Sequence, residues 1–381
     1  MLYWHRQLLN GGSGVLSSID FSSLSVGASA TPGGLTITRA SVAGAENGDT
    51  AFKVNCSAIN EGRIAQRGSN VGLRLERATT NLLTNPRDAQ NWTNAASGGG
   101  SSTTGASTTD PDGVSRTMAL HSILSGGYSK YQNPITVASG SIYSVSAWLK
   151  PDTGNNTYEF NAFDSTSRAI GGTLQAGWQR VSTQITTGSN TAGLVPADGR
   201  LNNSIAAAAR NYYSDLHQYE LGPVSTWISG TRAGENVSIP AASAWALSGA
   251  IKMEVTWVPD ISAANAVTCG LSNFRLWTLD ANNYAEIVLS TRIVKVVIGG
   301  QAELLPNALP SWSADDTLVI RVFAGNGVPT GLYIHNGGTA TSLGSGSSQP
   351  YMIVASAPLD VFCNSTTQQL QGIIKSLKIF A

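Results

Sequence analysis

Asp215 and Glu220, in the stretch DLHQYE, come as near as this sequence does to the paired acids of glycosidic bond cleavage. That chemistry needs two carboxylates about 5 Å apart, which a strand supplies from positions i and i+2 or i+4. These two stand five positions apart, so an unbroken strand would point them to opposite faces. EVTWVPD, with Glu254 and Asp260, is an equally loose approximation, and no Glu-x-Asp-x-x-Glu strand occurs. A serine nucleophile would need Gly-x-Ser-x-Gly between a strand and a helix. None is present, and GSGSS at Gly344 to Ser348 reads as a loop of small residues. The histidines His5, His121, His217 and His335 fall in separate regions and read as surface or packed residues. Cys56, Cys269 and Cys363 are odd in number and far apart, which excludes zinc-ligand spacing and a disulfide framework and leaves buried thiols. The chain therefore reads as no enzyme.

Two stretches have binding chemistry instead. DANN, Asp280 to Asn283, offers the oxygens of a loop-bound calcium site, and the same letters suit a hairpin turn. No other cofactor is expected. In SIYSVSAWLK the apolar face is Tyr143, Val145, Ala147 and Leu149, so Trp148 points the other way, alongside Ser144 and Ser146. Sugars present flat apolar faces rimmed by hydroxyls, and an aromatic plate among small polar groups is a candidate glycan platform. The other reading is that a loop or a neighbouring subunit covers Trp148.

The elements that position these residues are strands. Among 381 residues, 41% are hydrophobic and 12% charged, and the 41 glycines exceed the usual share of about 7%. Short apolar runs between Gly, Ser, Thr and Asn describe an all-β chain with many turns, long enough for more than one core. Twenty-three basic residues balance 23 acidic ones, so no field collects phosphates and nucleic acid is not an expected partner. There is no signal-peptide h-region in MLYWHRQLLNGG and no long apolar run, so synthesis in the cytoplasm without membrane insertion is expected.

Three regions differ in texture. Residues 1–71 are rich in Gly, Ser and Ala, with short strands at LTIT and AFKVNC, and YWHRQLL is a short helix or an extended docking arm. Residues 72–231 hold the strands SIYSVSAWLK, TYEFNAF, WQRVSTQI and ARNYYSDLHQYEL. They also hold a low-complexity bridge, Ser97 to Gly113, which ends in the turn Asp110-Pro-Asp-Gly. The Ala run from Ser204 to Ala209 reads as a turn or a single helical turn. Residues 232–381 carry further hairpins, and IKMEVTWV places Ile251, Met253, Val255 and Trp257 on one face.

GLRLERATTNLLTNPRDAQNWT resembles a recurring segment of bacteriophage virion proteins of the tail-fibre and head-fibre type. Its usual form is Gly-Leu-Leu-Ile-Glu-x-Ala-Arg-Thr-Asn-Leu-Leu, a loop, then Trp. Gly72, Leu73, Glu76, Ala78, Thr80, Asn81, Leu82, Leu83 and Trp92 fall on it. TTDPDGVSRTMAL, YSVSAWLKP, GWQRVS and HQYELGPVSTWISGT resemble the segments that follow, and LTITRASVA resembles one upstream. Thr79 stands where the family has arginine, so that ion pair is lost or moved to Arg77. The last region, through QLQGIIKSLKIF, is similar to concanavalin A-like and laminin-G-like sandwiches.

The resemblance implies a carbohydrate-binding-module-like jelly roll followed by a lectin-like sandwich: all-β, two antiparallel β-sandwiches, with a short irregular N-terminal strand segment. It places Leu73 and Leu75 in the jelly roll, with Thr79 to Asn81 bonded to their own backbone and Leu82 and Leu83 at the core edge. It makes Trp92, Trp178 and Trp227 packing residues and Glu220 structural. The expected function is a virion tail fibre or receptor-binding appendage that adheres to host-surface glycan without catalysis. The alternative is a head fibre or capsid decoration, with a glycan depolymerase a distant third. Expected partners are other virion proteins through Met1 to Gly34, host glycan, and copies of the chain itself, with trimers among the states the family implies.

Overall fold

The structure, a computed structural model, describes residues 15–23, 29–30, 35–38, 43–46, 52–57, 62–97 and 101–380. Within the last span 125, 155, 165–166, 200–208, 233, 240–249, 326–327, 348–357 and 363–369 are left out. YWHRQLL and most of the Ala run, at 204–208, lie outside the described residues. The chain is all-β and divides into two units, one of residues 43–55 and 79–232, the other of residues 1–42, 56–78 and 233–381.

Ten strands make the two main sheets of the first unit: β1 Thr93–Ser97, β2 Ser102–Thr109, β3 Ser115–Ile123, β4 Tyr128–Thr136, β5 Ile142–Gly154, β6 Thr157–Phe163, β7 Ser167–Thr173, β8 Gln179–Thr186, β9 Thr191–Val195 and β10 Arg210–Leu221. They form two five-stranded antiparallel sheets, ordered β2-β3-β10-β5-β8 and β7-β6-β9-β4-β1. From β3 to β10 this is the strand order of a jelly roll, with β1 and β2 added at its edges. Alternation explains the core. Tyr143, Val145, Ala147 and Leu149 of β5, with Tyr212 and Tyr219 of β10, pack against Phe160, Ala162 and Leu194 of the other sheet. The expected bridge is in fact largely β2: each of its eight residues pairs with β3, from Ser102 opposite Ser122 to Thr109 opposite Ser115. Its alternating Ser and Thr suit an exposed edge strand. The turn after it forms as read, with Gly113 N–H donating to the Asp110 carbonyl and the Asp110 carboxylate accepting from Val114 N–H.

The second unit stacks a nine-stranded sheet on a seven-stranded one, all antiparallel. Ile251, Met253, Val255 and Trp257 enter its core as their alternation requires. Here the boundary expected between residues 71 and 72 gives way. Asn70–Leu75 pairs with Gly62–Arg67 on one side and with the C-terminal strand Gly372–Phe380 on the other. Leu73 and Leu75 are buried in this unit's core, not in the jelly roll. Val15–Asp20 also pairs with Gly372–Phe380, Thr36–Thr38 pairs with Asn236–Ile239, and Phe21 is fully buried. Much of the described N-terminal region, though not residues 43–46 and 52–55, is thus woven into a sandwich completed by the C-terminus. Local alternation could not show this, because a strand's two faces read the same whichever sheet it joins.

The residues between the leucines are committed elsewhere. Arg74 reaches Glu76 at 3.0 Å and Asp260 at 2.8 Å, and Arg63 reaches Glu76 at 2.8 Å and Glu235 at 2.7 Å. Burial lowers the Arg63 pKa, but Glu235 and Glu76 outweigh it and hold the guanidinium above its ordinary value. Alternation here separates an apolar face from a buried ionic one.

Candidate functional site

The sheet β2-β3-β10-β5-β8 has an outer face that is closed at one end and open at the other. The closure starts with sequence. β3 pairs with β10 only as far as Ser214, and beyond it the stretch from Asn81 to Pro86 takes over that edge. Leu82 N–H donates to the Tyr219 carbonyl, and His217 N–H donates to the Pro86 carbonyl. Asn81 fastens this strap. Its Nδ2 donates to the carbonyls of His217 and Ile228, and its Oδ1 accepts from Leu83 N–H and Tyr219 N–H. Of these bonds only the one to Leu83 is the local kind expected. Thr79 reaches the Glu220 carboxylate at 2.8 Å and Thr80 reaches Thr231 at 3.1 Å. Leu83 and Trp92 then enter the core, while Leu82, expected at its edge with Leu83, is partly buried and packs against it.

Over the face itself folds the segment after β10. Trp227 joins Met118, Trp148, Trp178 and Leu216 in a small apolar cluster, its indole N–H on the His217 carbonyl. Trp148, expected as a platform among Ser144 and Ser146, is 1% exposed. It does lie on the outer face, but the chain roofs it. Ser144 Oγ donates to the Gly222 carbonyl at 2.6 Å, and Ser146 Oγ accepts from Arg180, which also reaches the Ser225 carbonyl. All three residues hold the cover down. Alternation gave the correct face; the cover comes from residues more than 70 positions away, which no local pattern reveals.

Asp215 and Glu220 also differ from expectation. Leu216 has φ +49° and a bulge shifts the register there, so Trp148 lies opposite Asp215, Ser146 opposite Gln218 and Ser144 opposite Glu220. The two acids therefore share one face. Both are committed to hydrogen bonds. Asp215 binds Arg87 and Leu216 N–H, while Glu220 accepts from Gln218, Thr79, Ser225 N–H and Ser225 Oγ. Burial pushes the Asp215 carboxyl up, against the pull of the Arg87 guanidinium.

Two histidines that look unrelated in sequence meet at one serine. Thr103 Oγ1 lies 2.7 Å from His121 Nδ1, His121 Nε2 lies 2.6 Å from Ser214 Oγ, and His217 Nε2 lies 3.0 Å from the same oxygen. His217 Nδ1 lies 2.8 Å from the Pro86 carbonyl, which only accepts, so Nδ1 carries the proton. The chain of donors then runs Thr103 to His121, His121 to Ser214, Ser214 to His217, and His217 to Pro86. Burial pulls the His121 pKa down to about 3, with His217 and Lys130 adding to the effect. Burial brings His217 to about 4, against the Pro86 hydrogen bond. Both imidazoles are sealed neutral members of the fold.

The open end lies past Trp148. Lys150 of β5 pairs with Tyr213 of β10, Tyr213 with Leu120 of β3, and Leu120 with Thr104 of β2. These four stand side by side across the sheet at the inter-strand spacing of about 4.8 Å. The next row along the same face is Asn211, Ser122 and Ser102. All seven reach solvent, in contrast to Trp148. The Lys150 ammonium sits 5.7 Å from the Tyr213 ring centroid and 5.9 Å from that of Trp178, and donates to Thr108 Oγ1 at 2.9 Å. Burial and the Asp152 carboxylate raise the Tyr213 phenol. The result is an apolar centre, Tyr213 with Leu120, rimmed by a cation, an amide and hydroxyls. The signal for it was in ARNYYSDLHQYEL, where adjacent tyrosines must point to opposite faces.

Elsewhere, Asp280 turns on itself: its carboxylate accepts from Asn282 N–H and from Asn283 Nδ2, while Asn283 Oδ1 accepts from Gly299 N–H. DANN is a hairpin turn whose acid is already engaged. His335 meets Asp316 at 2.9 Å in a partly exposed pair.

No protein-family model matches the chain, and no curated protein matches it. Two of the solved structures similar to it illustrate the likeness. One is the N-terminal CBM22-1–CBM22-2 tandem domain of Xyn10C from Paenibacillus barcinonensis, at 10% identity over 81% of this chain and 99% of that one, with a TM-score of 0.26. The other is the LG4-5 pair of the mouse laminin α1 chain, at 8% identity over 63% and 82%, with a TM-score of 0.22. At scores this low the architecture rests on the sheet orders themselves.

Proposed function

We propose that this chain is a bacteriophage virion appendage, a tail fibre or receptor-binding component that adheres to host-surface glycan and does not cleave it. The open row Lys150, Tyr213, Leu120 and Thr104 carries the reading. It offers an aromatic and aliphatic surface for a sugar's apolar face, with Asn211, Ser122 and Ser102 placed to meet hydroxyls. The ordered series of segments resembling phage fibre proteins, from LTITRASVA to HQYELGPVSTWISGT, supplies the virion context. A shallow ledge suits that setting, since many weak sites on one particle gain roughly 10²–10⁴ by avidity.

Attachment to the particle falls to the first residues of the chain. Of the expected attachment segment, Met1 to Gly34, Val15–Asp20 and Phe21 belong to a sandwich, and residues 1–14 lie outside the described residues.

The test is binding of the purified full chain to host-surface polysaccharide. Tyr213→Ala is expected to weaken it at least roughly tenfold with an unchanged melting temperature, as loss of a stacking side chain should. Binding equal to wild type would remove the ledge as the site. Labelling the protein on intact virions separates the two placements: signal on the tail fits the appendage, and signal on the capsid fits a head fibre or decoration.

A further inference from the structure

We infer that the ledge selects acidic glycans, stacking a sugar ring on Tyr213 and taking its anionic substituent, a carboxylate or an ester sulfate, on the Lys150 ammonium. The inference rests on the glycan-binding reading above and specifies its ligand.

The arginines of this outer face are engaged. Arg87 pairs with Asp110 and Asp215, Arg116 with Asp110, and Arg180 binds Ser146 and the Ser225 carbonyl. Lys150 differs. Its hydrogen-bond partner is a neutral hydroxyl, its other neighbours are two aromatic rings, and no carboxylate among the described residues forms an ion pair with it. Ring faces and a hydroxyl hold an ammonium in place without neutralising it. The cation stands directly opposite Tyr213 in the ladder, so a ring stacked on the phenol brings a substituent within reach of Nζ. A charge that opposes this is Asp152, exposed and close enough to raise the Tyr213 phenol.

Asn211 Nδ2 donates to Thr153 Oγ1, and Thr153 Oγ1 lies 3.2 Å from Asp152. This chain ties the acid to the polar rim instead of to Lys150. An anionic ligand therefore meets one uncompensated cation and one tethered anion, and removing the anion strengthens its binding.

The experiment compares four monovalent oligosaccharides on the full chain: a uronic-acid oligomer, its methyl ester, a sulfated oligomer and its unsulfated counterpart. The acidic member of each pair is expected to bind roughly fivefold tighter, an effect that raised salt diminishes. Lys150→Gln should abolish the preference, Lys150→Arg should keep it, and Asp152→Asn should increase it. Circular dichroism melts check that each variant is folded. Whichever pair shows the larger preference identifies carboxylate or sulfate as the anion taken. Equal binding of acidic and neutral members overturns the inference and leaves the ledge as a neutral-glycan site. A preference unchanged in Lys150→Gln also overturns it. Binding of none of the four, before or after substitution, removes the underlying reading as well.

Discussion

His121 and His217 hold opposite sides of one hydroxyl, Ser214 Oγ, at 2.6 and 3.0 Å, although they stand 96 positions apart. His217 in turn grips the Pro86 carbonyl of the strap with both its backbone N–H and its ring. The strap's attachment is thus tied to the neutrality of two buried imidazoles.

This makes the jelly roll acid-sensitive in a defined direction. Unfolded histidines take up protons below about 6.5, whereas in the fold His121 and His217 resist until about 3 and 4. Stability is complete above the unfolded value and falls as pH drops from 6.5 toward 4, by about 1.4 kcal/mol per pH unit for each histidine. Denaturant midpoints across this range measure it, and His217→Gln should remove about one proton from the slope. Amide exchange at Leu82 and Tyr219 should rise first.

Asn81 binds two carbonyls, those of His217 and Ile228, and two amides, those of Leu83 and Tyr219, and of these the His217 carbonyl also accepts from the Trp227 indole. Asn81→Ala leaves buried backbone groups unpaired and should cost about 2–4 kcal/mol. Chemical unfolding monitored by fluorescence reads it; a loss under 1 kcal/mol, on the scale of one ordinary hydrogen bond, would mean that water replaces the amide.

Gly72 opens the family-like stretch for a steric reason. A Cβ there would strike the Ile374 carbonyl and lie 2.7 Å from Ile373 Cγ2. Gly72→Ala should therefore destabilise the larger sandwich by about 1–3 kcal/mol, and Gly72→Val by more, as shown by thermal melts. A neutral Gly72→Ala would show that the ladder yields.

Arg63 is fully buried between Glu76 and Glu235. Glu235→Gln removes one charge of the cluster and should cost about 3–5 kcal/mol. Burial shields the pair from ions, so raising salt should not change that difference. A cost that shrinks with salt would place the cluster in contact with solvent.

Much of this was legible in the chain itself. The faces of β5 and of Ala250–Pro259, the turn at Asp110 and the hairpin at DANN follow from alternation and turn chemistry, whereas the packing of Trp92, Trp178 and Trp227 was implied by the family resemblance alone. What misled was contact order. Leu73 and Leu75 alternate as strand residues must, yet one of their two neighbour strands lies some 300 positions downstream. Ser102–Thr109 looked featureless because an exposed edge strand needs no apolar face.

Amino-acid order alone determined the strand faces, the all-β class and the scarcity of free acids and bases, because side-chain alternation and charge content are local properties. Only the tertiary structure decided which aromatic on the outer face meets solvent. A bulge at Leu216 put Asp215 and Glu220 on one face, and the segment ending in Trp227 closed over Trp148 and left Tyr213 reaching solvent. Burial is set by what folds back over a strand, and that depends on residues far from it in the chain.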